Sequence, residues 1–145
     1  MSGKDNVFFD SNVLIYHLGG IGEAKKLIRY VEDNKIRGFI NPIVASETLF
    51  FYIKANTKMK SWEIKRKPHV LSKIDLEPVF ELLSLFSILD LNAEIVDLSK
   101  SVIERYHLLP NDALIAATCE FYVIEKIATF DDDFKRVAGL QILRK

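Results

Sequence analysis

The chain has 145 residues, 49% of them hydrophobic, and a formal net charge of zero. This length and apolar content predict one folded domain over residues 1–145 and exclude an intrinsically disordered chain. The zero net charge excludes a protein that holds nucleic acid through a uniformly basic surface, so a nucleic-acid partner would need a local basic patch.

Three features of the sequence predict its cellular location. The chain has one cysteine, Cys119, which forms no intrachain disulfide and fits a reducing compartment. The first six residues are not followed by an apolar stretch as long as the h-region of a signal peptide, so we expect no signal peptide. The longest apolar runs carry acids and are too short to span a bilayer. We therefore expect a soluble, cytoplasmic protein that does not associate with membranes.

The N-terminal half of the chain alternates short apolar runs with helical patterns. The run over 7–9 predicts a buried strand. Asn41 followed by Pro42 predicts a helix start, because asparagine caps helices and proline fits their first position. The predicted elements here are a strand over 7–9, helices over 12–18 and 22–32, a strand over 36–40, a helix from 42 to 55 or 56, and a short helix over 62–67.

The C-terminal half continues the alternation, with Asp75 and Asn92 as predicted helix caps. The predicted elements are a helix over 76–86, a strand over 87–91, helices over 93–106 and 112–122, a strand over 126–129, a helical turn over 133–137 and a strand over 140–143. Strands that alternate with helices are typical of an α/β fold whose parallel sheet is covered on both faces.

Asp10 is the first of four acids that do not suit their surroundings. It directly follows the first strand, and open α/β sheets bind ligands outside the carboxyl ends of their strands. A cap for the next helix explains Asp10 equally well. Glu47 is predicted to share a helix face with Ile43, Phe50 and Phe51. An unpaired acid on an apolar face indicates function, unless Glu47 lies at the edge of that face or pairs with a lysine.

The other acids occur near the C-terminus. Asp112 heads a helix face that must pack on the sheet, although an acid in a first turn also complements the helix dipole. Asp131 and Asp133 follow a strand and are candidates to point into the same crevice, beside the hydroxyl of Thr129. Asp132 is expected to lie in a solvated turn and cap the next helix.

Together these acids predict one carboxylate cluster at the edge of the sheet where strands end and helices begin. Such a cluster repels itself, so some of its pKa values would rise unless cations occupy it. Carboxylate oxygens suit Mg²⁺ or Mn²⁺. The chemistry that this arrangement predicts is metal-assisted hydrolysis of a phosphodiester bond.

The segment over 54–73 is a candidate RNA-binding surface, because it has seven Lys or Arg against one acid, Glu63. Trp62 lies within it and is a candidate to stack on a base. A solvated charged face, with Trp62 anchoring the short helix to the core, is the alternative. The candidate substrate-binding residues are Lys54, Lys58, Lys60, Lys65, Arg66 and Lys67.

Four motifs in order resemble the PIN-domain ribonucleases, the family that includes the VapC toxins of prokaryotic toxin–antitoxin pairs. They are Phe9-Asp10-Ser11-Asn12, Ser46-Glu47, the run Asn111-Asp112-Ala113-Leu114-Ile115-Ala116-Ala117, and Thr129-Phe130-Asp131-Asp132-Asp133-Phe134. The resemblance implies a three-layer α/β/α sandwich with a mostly parallel sheet. It also implies a Mg²⁺- or Mn²⁺-dependent endoribonuclease, a homodimer and a possible antitoxin partner.

The same resemblance implies a role for each motif residue. Asp10, Glu47, Asp112 and Asp131 correspond to the metal-binding catalytic acids. Ser11, Asn12 and Thr129 correspond to residues around them, and Asp133 to a variable acid that sometimes joins the site.

Other functions stay open at this point. Within the family, the chain could be an RNA-processing or repair nuclease, or a non-catalytic RNA-binding module. Outside it, a phosphatase or receiver that forms a phosphoaspartate would place its acid at Asp10. The haloacid-dehalogenase-like phosphatases, however, have Asp-x-Asp after the first strand, and the second position here is Asn12.

Overall fold

The computed structural model describes residues 4–144, which form a five-stranded sheet with all neighbours parallel, in the order β3-β2-β1-β4-β5. The strands are β1 (Asp5–Phe9), β2 (Ile36–Ile40), β3 (Ser87–Ile88), β4 (Lys126–Ala128) and β5 (Gln141–Leu143). Parallel strands need crossover connections, which helices provide here. The arrangement is a three-layer α/β/α sandwich, as the resemblance implied.

Seven α-helices of the described chain surround this sheet. They are α1 (Ser11–Leu18), α2 (Gly22–Glu32), α3 (Pro42–Thr57), α4 (Ser61–Arg66), α5 (Glu77–Leu83), α6 (Ala93–Tyr106) and α7 (Pro110–Phe121). Two 3-10 helices cover Pro68–Lys73 and Asp132–Arg136. Within residues 4–144, none of the helices has the length and apolar composition that a membrane span requires.

The predicted elements are present, and the differences lie mainly at their ends. The strand predicted over 87–91 stops at Ile88, because Ile88 pairs with Ile40 and β2 ends there. The helix predicted over 112–122 begins two residues earlier, because Pro110 fits the first helical position. The 3-10 helix after Pro68 was not predicted.

The core is built on β1, the central strand. Val7, Phe8 and Phe9 are fully buried, as expected for a strand covered by helices on both faces. At the carboxyl end of β1 the Asp10 amide donates to the Ala128 carbonyl over 3.0 Å. This bond ties Asp10 to the end of β4 and places both strand ends at one point of the sheet edge.

Gly38 in β2 gives a first test of the packing. A Cβ at this position would lie 2.7 Å from Phe86 Cδ1 and 3.1 Å from Val31 Cγ2. We therefore expect Gly38→Ala to lower the free energy of unfolding by about 1–3 kcal/mol, measured by urea denaturation. Gly22→Ala is the matched control, because no atom lies within 4 Å of its Cβ position. Equal stability of the two variants would contradict this packing.

Candidate active site

Asp10 is both a helix cap and a member of the site. One carboxylate oxygen, Oδ1, accepts a hydrogen bond from the Ser11 amide at the start of α1 (2.8 Å). The other, Oδ2, accepts from the Thr129 hydroxyl after β4 (2.8 Å). Only 5% of Asp10 is exposed. The capping role predicted for Asp10 is therefore confirmed, and the same buried carboxylate remains a candidate site residue.

Thr129 joins the two strand ends. Its fully buried hydroxyl donates to Asp10 and accepts from the Asp131 amide (2.9 Å) and from Asn12 Nδ2 (3.4 Å). Asn12 Oδ1 in turn accepts from the Phe130 amide (3.3 Å). The loop after β4, and the acids it carries, are thereby fixed relative to α1.

We expect Thr129→Val to destabilise the fold by about 1–3 kcal/mol, because it leaves the Asp131 amide and the Asp10 carboxylate without their shared partner. Thr129→Ser keeps the hydroxyl and should lose much less. Thr48→Val is the matched control: Thr48 is equally buried, but its hydroxyl donates only to Val44 in its own helix. Thermal unfolding of the three variants measures the difference. Equal losses for Thr129→Val and Thr48→Val would show that Thr129 has no special role.

Glu47 is held by hydrogen bonds from two other parts of the site. Its Oε1 accepts from the Ser11 hydroxyl (2.9 Å) and its Oε2 from Asn111 Nδ2 (3.1 Å). Ser11 thus lies beside the acids, where the resemblance placed it. Asn111 was not predicted as a site residue. Its position directly before Asp112 in the matching motif was the available signal.

The helix face that carries Glu47 is more exposed than the sequence predicted. Phe50 and Phe51 are 46% and 39% exposed, whereas α3 buries Val44 and Thr48. The expectation that Glu47 lies on a buried apolar face is wrong, because the core-facing stripe of α3 runs through Val44 and Thr48, three residues before and one residue after it.

Asp112, Asp131 and Asp133 form a close group of acids. Each has a carboxylate oxygen within 4.8 Å of one from the other two. Burial, and after it the charges of the neighbouring acids, raise the pKa of Asp112 to about 7. Burial also raises the pKa of Asp10 to about 6, although its hydrogen bonds to Thr129 and Ser11 oppose the shift.

These shifts have a chemical meaning. The pKa of Asp112 is raised by its burial and by the negative charges of its neighbours Asp10, Glu47, Asp131 and Asp133. The five carboxylates therefore repel one another. A cation would relieve the repulsion, and the oxygen-only donor set suits a hard divalent ion. Hydrolysis assisted by such an ion is the chemistry that this set of side chains supports.

Asp132 is separate from this group, as expected. It is exposed and forms ion pairs with Arg144 and with Lys135 (3.4 Å). The helix-capping role predicted for it belongs instead to Asp131, whose Oδ1 accepts from the Asp133 amide (2.9 Å). Asp131 has the extended backbone conformation of a helix cap, which allows its side chain to accept from this amide two residues further along the chain.

Only one of the candidate substrate-binding residues lies next to the acids. Lys54 lines a recess of about 530 Å³ together with Glu47, Phe50 and Phe51. Its Nζ lies 5.3 Å from the centre of the Phe50 ring. The other five cations lie beyond the end of α3, on or around α4.

A sequence model of the family described as "PIN domain" matches residues 7–140, which include every acid of the site. The chain belongs to the PIN-domain family. It is 60% identical to "Ribonuclease VapC2" of Methanocaldococcus jannaschii, over 97% of this chain and 94% of that protein. "Ribonuclease VapC6" of the same organism is 34% identical, over 97% of both chains.

The fold of this PIN domain is also similar to a solved structure. VapBC2 from Rickettsia felis, crystallised with a DNA fragment from its promoter, matches with a TM-score of 0.63 and 19% identity, over 95% of this chain and 97% of that one. This likeness supports the arrangement of strands and helices around the acids of the PIN domain.

Proposed function

We propose that this PIN-domain protein is a metal-dependent endoribonuclease and the toxin of a toxin–antitoxin pair. The observation that carries the proposal is the convergence of Asp10, Glu47, Asp112 and Asp131 in a chain that is 60% identical to a protein named as a ribonuclease. We assign these four residues as the catalytic, metal-binding acids.

The side chains fit Mg²⁺ or Mn²⁺. All donors are carboxylate oxygens, and among residues 4–144 the pair of Arg136 with Asp133 (3.2 Å) is the one ion pair that a Lys or Arg forms with the five acids. Asp10 and Asp112 would hold the principal ion, completed by Glu47 and Asp131, with Asp133 near enough to join them. When bound, such an ion would polarise a phosphodiester oxygen and lower the pKa of a water molecule.

The remaining residues hold these acids in place for hydrolysis. Thr129 and the Ser11 amide fix both oxygens of Asp10, while the Ser11 hydroxyl and Asn111 fix both oxygens of Glu47. Glu47 is thus positioned to orient the attacking water and take its proton. The water oxygen bonds to phosphorus as the bond from phosphorus to the departing sugar oxygen breaks, and that sugar oxygen takes a proton from solvent.

The test uses a circular single-stranded RNA, which only an endonuclease can cut. We expect the circle to become linear with Mg²⁺ or Mn²⁺ and to stay intact with EDTA. An intact circle under all conditions would contradict the nuclease function. Cleavage that EDTA does not inhibit would contradict its metal dependence, and trapping of a phosphoaspartate on Asp10 would favour the phosphotransfer alternative.

The toxin role requires an antitoxin partner, which we propose because a structural neighbour is a VapBC complex. Expression of the chain alone should arrest growth of a bacterial host, and co-expression of a small DNA-binding protein encoded beside it should restore growth. Active nuclease without growth arrest would favour an RNA-processing or repair role. If the chain shows no nuclease activity and causes no growth arrest, the result favours the non-catalytic RNA-binding module.

We also propose a homodimer that uses the outer face of α3. An apolar recess of about 530 Å³ there joins Leu49, Phe50 and Ile53 to Ile88 of β3, the strand at the edge of the sheet. A second copy would cover both the apolar side chains and the unpaired strand edge. We expect Ile53→Glu to halve the molar mass measured by light scattering. Val96→Glu, on an exposed site of α6, should leave it unchanged.

A further inference from the structure

Helix α4 presents a large aromatic side chain to solvent. Trp62 is 56% exposed and lines a recess of about 400 Å³ with Met59, Arg66 and Lys67. Ile64, which is only 7% exposed, anchors the helix instead. The alternative in which Trp62 serves as the anchor is therefore excluded by its own exposure. An exposed tryptophan ring beside cations offers a face on which a planar group can stack.

The charge around Trp62 identifies the kind of ligand. The segment over 54–73 has seven Lys or Arg and one acid, so the rest of this neutral chain is net acidic. All seven cations are exposed, and among residues 4–144 none of them pairs with a carboxylate. The single acid, Glu63, also lines the recess, but its Oε1 accepts from the Lys60 amide (2.9 Å) at the start of α4.

A cationic surface around an exposed aromatic ring suits a flexible polyanion that carries planar bases. Bases stack on aromatic rings while Lys and Arg contact the phosphates, and only unpaired bases offer a free face. A double helix keeps its bases stacked inside, so it would use the charge but not the ring. The surface therefore favours single-stranded RNA.

We propose that α4 and its flanks form a second RNA-binding site, separate from the acid cluster, in which Trp62 stacks on an unpaired base and Arg66 and Lys67 contact the adjacent phosphates. The proposal rests on the ribonuclease function, because the RNA bound there is the substrate. It assigns Trp62 as a residue that positions substrate and selects unpaired regions.

Helix α3 separates Glu47 from the loop that leads to α4. Glu47 lies in its second turn and Thr57 at its end, which places them roughly 15 Å apart at about 1.5 Å per residue. Lys54 lies between them and shares the recess of Glu47. We therefore expect one RNA strand to reach both sites only if it is several nucleotides long. Short substrates should not depend on Trp62.

Trp62 is the only tryptophan in the chain, so tryptophan fluorescence reports on this site alone. The wild-type protein is titrated in EDTA, which prevents cleavage, with a single-stranded RNA of about 12 nucleotides. We expect this RNA to quench the emission, and an RNA duplex or inorganic polyphosphate of equal charge to quench it much less. Equal quenching by polyphosphate, or none by RNA, would overturn the stacking. Quenching by polyglutamate but not by RNA would show an acidic protein ligand and overturn the proposal.

Cleavage kinetics separate this site from the catalytic one. Trp62→Ala should raise KM for a long RNA by about 10-fold, with kcat unchanged and with no effect on a trinucleotide substrate. Trp62→Phe should recover most of the affinity, and Arg66→Gln with Lys67→Gln should raise KM and weaken its dependence on salt. Val123→Ala, at another exposed apolar site, is the control.

Failure of the second RNA-binding site and failure of the nuclease function give different results. If the wild-type protein cleaves RNA and Trp62→Ala has an unchanged KM, the second site is wrong and the nuclease stands. If RNA quenches Trp62 but no metal ion supports cleavage, the nuclease function is wrong and the RNA site stands.

Discussion

Asp112→Asn is expected to remove activity and to stabilise the metal-free protein. The rate of RNA cleavage should fall by at least about 100-fold, since even residues that only support a metal ligand cost about 10–100-fold when they are replaced. The melting temperature of the metal-free protein at pH 8 should rise by a few degrees, because about 1 kcal/mol corresponds to about 2–4 °C for a chain of this size.

The direction of the stability change follows from the pKa of Asp112. An acid in the first turn of a helix gains favourable interaction with the helix dipole, which alone would lower its pKa. The pKa is instead raised to about 7, so burial and the neighbouring acids outweigh the dipole at Asp112. An uncharged amide of nearly the same shape removes the unfavourable energy of the buried charge, which is larger than the favourable interaction with the dipole. Asp10→Asn is a less direct test, because it also disturbs the hydrogen bonds from Ser11 and Thr129.

Asp132→Asn is the matched control, because Asp132 is an exposed acid whose pKa is lowered by Arg144 and Lys135. It should keep full cleavage activity and should not be stabilised. A lower melting temperature for Asp112→Asn would show that Asp112 serves the helix dipole. Retained cleavage would show that it is not a metal ligand.

The stability of the metal-free protein is expected to depend on pH through the same acids. Asp10 and Asp112 have folded-state pKa values of about 6 and about 7, above their ordinary value of 3.8. Between these limits the folded state binds more protons than the unfolded state, so stability falls as pH rises from about 4 to about 7. Above about pH 7 both acids are charged in the folded and in the unfolded state. The stability that the folded state gains from binding these protons is then lost, and the two acids cause no further change with pH.

Melting curves at pH 5 and pH 8, with EDTA or with Mn²⁺, measure this effect. The advantage of Asp112→Asn over the wild-type protein should be small at pH 5 and larger at pH 8. Mn²⁺ should raise the melting temperature of the wild-type protein more than that of the variant. The comparison with a variant is needed because burial lowers the pKa of His17, which changes stability with pH in the opposite direction. An advantage that does not depend on pH would contradict the raised pKa of Asp112.

Much of the fold could be predicted because local signals in the sequence agree with the tertiary structure. Asn41 and Asn92 cap α3 and α6 as predicted, and the apolar run over 7–9 is the buried central strand. The length of β3 could not be predicted, since it depends on where its neighbour β2 ends. The start of α7 is set by Pro110, and proline fits a connector as well as the first position of a helix.

The site was predicted from the position of acids at strand and helix ends, which places them at one edge of a parallel sheet. The argument for Glu47 from an apolar helix face was wrong, because helical spacing does not show which face meets the core. The roles of Asn111 and Thr129 depend on hydrogen bonds between distant segments, which only the fold reveals. Three adjacent acids precede the last 3-10 helix, and the backbone conformation of Asp131 decides that this acid is the cap. The sequence does not show that conformation.

A crystal structure of the protein grown with Mn²⁺ tests the central claim most directly, because anomalous scattering locates the ion independently of any activity assay. We predict a Mn²⁺ peak coordinated by Asp112 together with Asp10, Glu47 or Asp131, and no such peak in crystals of Asp112→Asn. A wild-type structure at saturating Mn²⁺ with no ion at these acids, or with one bound only elsewhere, would contradict the assignment of the site.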